Sequence, residues 1–401
     1  MSDQWQPATR AVRAAIETDA ATGAVVPPIH LSSTFAFRAF GDKGPYDYTR
    51  SGNPTRDALG DALTALEGGA GAIVTSSGMA AVTTICHLLG PGDLLVAPHD
   101  CYGGTYRLFS ALARRRQLRV EFIDQTDAEA LRAACACSPK IVWVETPSNP
   151  LLRIVDIRAA ARLAQACGAL LVVDNTFLSP GWQRPIALGA DLVVHSTTKY
   201  LNGHSDVVGG AVIARSKELH EELLWWANCL GVTGAPFDSY LTLRGLRTLQ
   251  ARLAIHQQNA RALVDVLLSS AAVARVYYPG IATHPGHSVA TAQQSGYGAM
   301  VSFELKGGLE AVSAFLGGLQ CFSLAESLGG VESLIAHPAT MTHAAMDPEA
   351  RRVAGISDAL LRISVGIEAA ADLLSDVSAA LERVARFTAS SDSAHLARAA
   401  C

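Results

Sequence analysis

This 401-residue chain predicts an α/β fold on a mostly parallel sheet, followed by a smaller α+β unit. Three observations carry that expectation. Seven short β-rich runs lie between residues 70 and 215, and helix-length amphipathic stretches separate several of them. The runs are apolar almost throughout, which marks strands covered on both faces rather than on one. Beyond the helical stretch Leu241–Ser269 the alternation stops and a different mixture begins.

Taken in order, the expected strands are AIVTS (72–76), DLLVAP (93–98), RVEFID (119–124), KIVWVE (140–145), ALLVVD (169–174), DLVVHS (191–196) and VVGGAVIA (207–214). Helices are expected at Met79–Leu89, Gly104–Arg116 and Ile157–Ala166. MVSFEL (300–305), a helix at Val312–Leu319 and LLRISVG (360–366) make up the smaller unit. Residues 1–60 carry Pro27-Pro28 and an aromatic-polar run but no core pattern, so they read as an arm lying on something else. The expected division is therefore an arm at 1–60, an α/β domain at 61–256, an α+β domain at 257–390 and a frayed tail at 391–401.

Composition removes whole classes of function. Only 17% of residues are charged against 49% hydrophobic, the reverse of a disordered chain. A net charge of −4 with scattered signs leaves no footprint for nucleic acid. No apolar run nears the roughly 18 residues of a membrane span. The start MSDQWQPATR has no apolar signal core, so a cytoplasmic protein without membrane attachment is expected. Eight cysteines could form disulfides, but Cys86, Cys167 and Cys321 sit in apolar segments and Cys135-Ala136-Cys137 is C-x-C. Buried thiols in a reducing compartment fit better. His195 and His204 are nine residues apart with no Cys/His cluster around them, so no metal is expected.

In a parallel α/β sheet, ligands bind at the carboxyl ends of the strands, and four strand ends here carry chemistry. AIVTS runs into Ser76-Ser77-Gly78-Met79, where helix N–H groups and small side chains make an anion seat; an ordinary serine N-cap is the competing reading. KIVWVE ends in Glu145-Thr146-Pro147-Ser148-Asn149-Pro150, either a mount for Asn149 as an amide donor or a plain proline-rich turn. ALLVVD ends in Asp174, whose carboxylate needs a cationic partner or caps a helix. DLVVHS ends in Ser196-Thr197-Thr198-Lys199-Tyr200. The chain has only five lysines, and Lys43, Lys140, Lys217 and Lys306 occupy polar or glycine-rich settings. Lys199 alone follows an apolar strand, where burial would lower its pKa and leave a nucleophilic amine. An acid for a ring nitrogen, a lysine for an imine and a phosphate seat with Ser196 and Thr198 together describe a pyridoxal phosphate site. Neither G-x-G-x-x-G nor a P-loop is present, and Gly203-His204-Ser205-Asp206-Val207 breaks the G-x-S-x-G pattern of a hydrolase.

At YDYTRSGNPTRD, TSSGMAAV, VETPSNPLLRIVDI, VVDNTFLSP, HSTTKYLNGHSDVVGG, SLIAHPATMTH and LLRISVGIE the chain resembles the pyridoxal phosphate-dependent enzymes of cysteine and methionine metabolism. The stretches that carry the likeness span residues 46 to 368. That resemblance implies the type I, aspartate-aminotransferase-like fold and pyridoxal 5'-phosphate held as a Schiff base on Lys199. It further implies that Lys199 moves protons, with Tyr102 stacking on the ring and sharing the acid–base work. By the same likeness Asp174 pairs with the ring nitrogen, while Gly78, Met79, Ser196 and Thr198 hold the phosphate. Tyr48 and Arg50 would reach the phosphate in a neighbouring subunit, within a homotetramer built as a dimer of dimers with shared sites. Arg362, Asn149 and Ser327 would hold the substrate carboxylate, and Arg107 and Glu326 its distal part. The implied reaction is γ-replacement, in which O-succinyl-L-homoserine and L-cysteine give cystathionine and succinate on the way to methionine. The alternative is cleavage of cystathionine to cysteine, 2-oxobutanoate and ammonia. Two departures bear on the choice: Ser51 stands where some γ-replacing members have a second arginine, and Ala336 where many cystathionine-cleaving members have glutamate.

Overall fold

The computed structural model describes residues 5–344, 346 and 348–399, with side chains through Phe387. Seven strands form the larger sheet: β1 (Gly71–Thr75), β2 (Leu94–Pro98), β3 (Arg119–Ile123), β4 (Ile141–Glu145), β5 (Leu170–Asp174), β6 (Leu192–His195) and β7 (Gly210–Ala214). Their spatial order is β1-β7-β6-β5-β4-β2-β3. Only β7 runs antiparallel, pairing with β1 on one side and β6 on the other, so the sheet is mixed but mostly parallel.

Each of the seven expected strands is present: AIVTS keeps its length but begins one residue earlier, at Gly71, VVGGAVIA pairs only from Gly210, and the others are a residue or two shorter than their runs. The continuous apolar runs are explained by two cores. Val142, Val144, Leu171, Val173 and Val193 face one, together with the helix Pro54–Glu67. Their chain neighbours Ile141, Trp143, Val172, Leu192 and Val194 face the other, beneath the helix Gly78–Cys86 and Phe109. Because side chains alternate across a strand, a sheet covered twice must be apolar at every position. Helices start where the sequence supplies caps: Asn53 accepts from Thr55 and Arg56 N–H, Ser77 from Ala80 and Asp156 from Ala159.

The second sheet contains β8 (Val273–Tyr277), β9 (Met300–Leu305), β10 (Ser323–Leu324), β11 (Leu334–Ala336) and β12 (Leu360–Ser364), in the order β10-β11-β12-β9-β8. The expected helical stretch at Leu241–Ser269 is two helices, Pro236–Leu246 and Leu249–Ser269. The ladder breaks at a tight turn in which Arg247 and Thr248 N–H reach back only three residues, to Arg244 and Gly245. The longer helix crosses the expected division near residue 257, and Leu253, Ala260 and Leu263 share one core with Val301, Phe303 and Ile363. Residues 13–53 hold no helix or strand, only isolated bridges such as Thr34 to Tyr48, and they expose Phe37 and Phe40. Ala11 and Ala14 are nevertheless buried against the helix Pro54–Glu67, which itself begins inside the stretch expected as arm. At the far end a helix spans Ala370–Ala399, so the stretch expected to fray from 391 continues it as far as Ala399, in keeping with its alanine content; residues 400–401 lie outside the described residues. No described helix is long and apolar enough to cross a membrane.

Glycine is required where β7 meets the turn after β1. A Cβ on Gly210 would collide with the Ser77 carbonyl oxygen, and one on Gly209 would lie 2.5 Å from Thr197 Oγ1. Gly210→Ala is expected to cost about 1–3 kcal/mol, because the obstructing atom is backbone and must shift; urea unfolding of the two proteins measures the difference.

Candidate active site

The carboxyl ends of β1, β4, β5 and β6 open into one cavity of about 400 Å³, closed on its other side by the second sheet and its loops. Gly78, Met79, Tyr102, Asn149, Asp174, Ser196, Thr198, Lys199, Glu326, Ser327 and Arg362 all line it. Residues as far apart as 78 and 362 in sequence thus share one wall.

The anion seat is built by both readings of its serine at once. Ser77 Oγ caps the helix by accepting from Ala80 N–H at 3.1 Å, and this leaves the Gly78 and Met79 N–H groups without protein partners among the described residues. They point from the N-terminus of a nine-residue helix, where anions are favoured. Gly78 has to be glycine: a Cβ there would sit 2.9 Å from Ser196 Cβ and narrow the cradle. Thr198 Oγ1 accepts from Gly209 N–H at 2.9 Å, which ties its turn to the start of β7.

Asp174 does not cap a helix; the next one, Ser179–Trp182, begins after Leu178. Its Oδ1 accepts from Thr176 N–H at 3.0 Å, and burial pushes its pKa up. Glu145 stands opposite it in the β4–β5 register, buried, accepting from Tyr102 N–H at 2.9 Å and Asn149 N–H at 3.1 Å. Burial first, then the nearby Asp174 charge, pushes Glu145 well above the carboxylate range. Glu145 meets the same sequence criterion as Asp174, a carboxylate ending an apolar strand, but only its place in the cavity marks it as functional. Behind this pair, His195 Nε2 lies 2.6 Å from Glu67 Oε1, both fully buried.

Lys199 donates from Nζ to Ser327 Oγ at 2.6 Å. Burial, reinforced by the charge of Arg362 and opposed by Glu326, lowers its pKa to about 8. The other four lysines are exposed, and Lys43 and Lys217 pair with Asp47 and Glu221. Arg362, on β12, donates to Asn149 Oδ1 at 2.8 Å and to the Ser327 carbonyl at 2.9 Å. Its Nε is buried with no hydrogen-bond partner among the described residues, and burial lowers its pKa to about 10. A desolvated guanidinium with a spare donor is a seat for a carboxylate. Ser327 holds the left-handed backbone, φ 98°, that turns both its hydroxyl and its carbonyl to this work.

Tyr102 immediately precedes the helix Gly103–Arg114, at its N-cap, lines the cavity and is 44% exposed. Three expected residues are not in the wall. Arg107 is exposed on that helix, because Thr105 faces the cavity and two residues add about 200° of rotation. Arg50 is engaged with the Asn228 carbonyl at 3.0 Å and Oδ1 at 2.7 Å, and its guanidinium lies 5.7 Å from the Tyr48 ring centre, on a different face.

Pyridoxal phosphate fits these residues. The free N–H groups and Gly78 cradle suit its phosphate, Lys199 its aldehyde carbon, and half-buried Asp174 lacks the cation that a protonated ring nitrogen would supply. An α/β cavity with a half-buried lysine, an opposing acid and a desolvated arginine suited to a carboxylate fits a type I pyridoxal phosphate-dependent enzyme acting on amino acids. The chain belongs to the Cys/Met metabolism PLP-dependent enzyme family, whose model matches residues 8–382. It is 60% identical to the cystathionine gamma-synthase of Escherichia coli K12 over 92% of this chain and 96% of that one. It is 46% identical to the cystathionine gamma-lyase of Dictyostelium discoideum, over 95% of this chain and 99% of that one. Among solved structures, the cystathionine gamma synthase of Xanthomonas oryzae in complex with cystathionine superposes with a TM-score of 0.95 at 62% identity, covering 95% of this chain and 99% of that one.

Two outcomes are expected. Amine acylation of the cofactor-free protein should modify Lys199 with a midpoint near pH 8 rather than the ordinary 10.5, since burial disfavours the protonated form; peptide mass spectrometry across pH reads this. Gly78→Ala should weaken pyridoxal phosphate binding at least ten-fold, as followed by titrating the cofactor into the stripped protein.

Proposed function

We propose that this enzyme catalyses γ-replacement, joining L-cysteine to the homoserine portion of O-succinyl-L-homoserine with release of succinate. The observation that carries this reading is that the relatives at 60% and 62% identity are gamma-synthases, while gamma-lyases of Dictyostelium discoideum and Lactobacillus plantarum stand at 46% and 42%, beside the gamma-synthase of Mycobacterium bovis at 48%. Ala336 supports it: this buried residue pairs with Arg362 across β11 and β12, so no acid stands beside the carboxylate seat at that position. Cleavage of cystathionine is the second reading, favoured by the lyase relatives that align over nearly their whole length.

In the proposed reaction Arg362 and Asn149 hold the α-carboxylate and fix the α-carbon before the Lys199 amine. Bound in the cavity, pyridoxal phosphate supplies the electron sink for charge that develops beside the substrate amine. Lys199, with a pKa near 8, can both accept and return a proton close to neutrality, as a group moving protons at two adjacent carbons must. Ser327 Oγ steers the Nζ group, and the Asp174 carboxylate would pair with a protonated ring nitrogen of the bound cofactor. The Cγ–O ester bond breaks with its electron pair leaving on succinate, the cysteine sulfur bonds to Cγ, and the thiol proton passes to solvent.

Tyr48 and Arg50, remote from this chain's own cavity, are proposed to complete the cavity of a second copy within a homotetramer. The coreless arm with exposed Phe37 and Phe40 supports such a contact. A cytoplasmic setting belongs to the same reading. The deciding measurement compares kcat/KM for O-succinyl-L-homoserine plus cysteine with that for cystathionine alone. The first should exceed the second by at least ten-fold; a preference for cystathionine cleavage would sink the assignment.

A further inference from the structure

A hydrogen-bonded chain of fixed polarity runs from the carboxylate seat to another part of the cavity wall, and none of the roles above uses it. His343 is fully buried, with Nε2 3.0 Å from the Asn149 carbonyl oxygen and Nδ1 2.9 Å from Thr342 Oγ1. A carbonyl can only accept, so Nε2 carries the hydrogen and donates it. Burial and the nearby Arg362 charge lower the His343 pKa to about 4, so at neutral pH the ring has a single N–H. Nδ1 is then an acceptor, and the Thr342 hydroxyl must donate to it. Its one hydrogen is spent there, which leaves only lone pairs for anything bound in the cavity that Thr342 lines. The Thr342 backbone is fixed too: its carbonyl oxygen packs against Gly103, where a Cβ would come within 2.9 Å.

The two reactants differ in what they can offer such an oxygen. The succinyl ester brings a carbonyl and a carboxylate, acceptors only. The incoming cysteine brings an ammonium group, a donor of three hydrogens. We infer that Thr342 is a specificity-determining residue that accepts a hydrogen bond from the ammonium group of the incoming amino acid, and that His343 is a positioning residue that holds the threonine hydroxyl in this acceptor-only state. Glu326, which also lines the cavity, adds charge of the right sign for the same group. The inference rests on the γ-replacement reading and adds a reason why the leaving acyl group and the incoming amino acid are kept apart: one wall atom attracts the second and repels the first.

The test is two-substrate kinetics of the holoenzyme. Thr342→Val keeps the shape and removes the acceptor, and should raise KM for L-cysteine roughly ten-fold or more, the scale of a lost hydrogen bond to a charged group. KM for O-succinyl-L-homoserine should stay within two-fold, and Thr342→Ser should restore the cysteine value. With 3-mercaptopropanoate, cysteine without its amino group, wild type and Thr342→Val should perform alike. His343→Phe, which cannot orient the hydroxyl, should reproduce the cysteine defect. If that variant does not fold, the threonine series decides alone. Equal KM changes for both substrates, an unchanged cysteine KM, or a defect that persists with 3-mercaptopropanoate would overturn the inference. A wild type that makes no cystathionine but cleaves it would overturn the reaction reading instead. The threonine assignment would then stand or fall on whether Thr342→Val raises KM for cystathionine, which carries the same distal ammonium.

Discussion

The buried guanidinium of Arg362 is the constraint on which the site depends. It stands on a central strand of the small sheet, and the group that satisfies it, Asn149, is in a loop of the large one. Removing a charge from water is costly unless hydrogen bonds replace the lost solvation. Asn149 and the Ser327 carbonyl supply two such bonds, and the unpartnered Nε leaves a further donor for an anion. The same contact bridges the two sheets across the cavity between them. Ser327 binds Lys199 through its hydroxyl and Arg362 through its carbonyl, so amine and guanidinium are set by one residue.

Charge arrangement follows from burial. The cavity collects a lysine and an arginine on one side and two carboxylates, Asp174 and Glu145, on the neighbouring ends of β4 and β5. Desolvation pushes all four toward their neutral forms: the bases down, the acids up. A site poised this way is stabilised by a ligand that brings a phosphate to the helix N-terminus, a cation to Asp174 and a carboxylate to Arg362. Pyridoxal phosphate with an amino acid meets all three demands.

The fold and half the site are legible in the sequence for the same reason. Doubly covered strands are apolar along their length, so the first polar residue after each run marks the sheet's carboxyl edge. That rule finds Asp174 and the turn from His195 to Lys199, and it also reaches Glu145, whose place beside Asp174 appears only in the strand register. The scarcity of lysine sharpens it, since four of the five are exposed. Less legible are residues on the second unit. Nothing in LLRISVG alone marks Arg362 as more than a charged residue in a strand, and only the likeness to a family pointed to it. Thr342 and His343 carry no signal of their own beyond their place in SLIAHPATMTH.

Periodicity and punctuation are local properties, and they determined by themselves the strands, most helices, the carboxyl-edge chemistry and the exceptional lysine. Pairing is not local. Which strand lies beside which, that Glu145 faces Asp174, that the helix Leu249–Ser269 joins the two sheets in one core, and that Arg107, Tyr48 and Arg50 stand outside this chain's own cavity were decided by tertiary structure. The physical reason is that a hydrogen bond such as Arg362 to Asn149 joins residues more than two hundred positions apart. No spacing in the sequence encodes that distance; it exists only once both sheets have packed on their shared core.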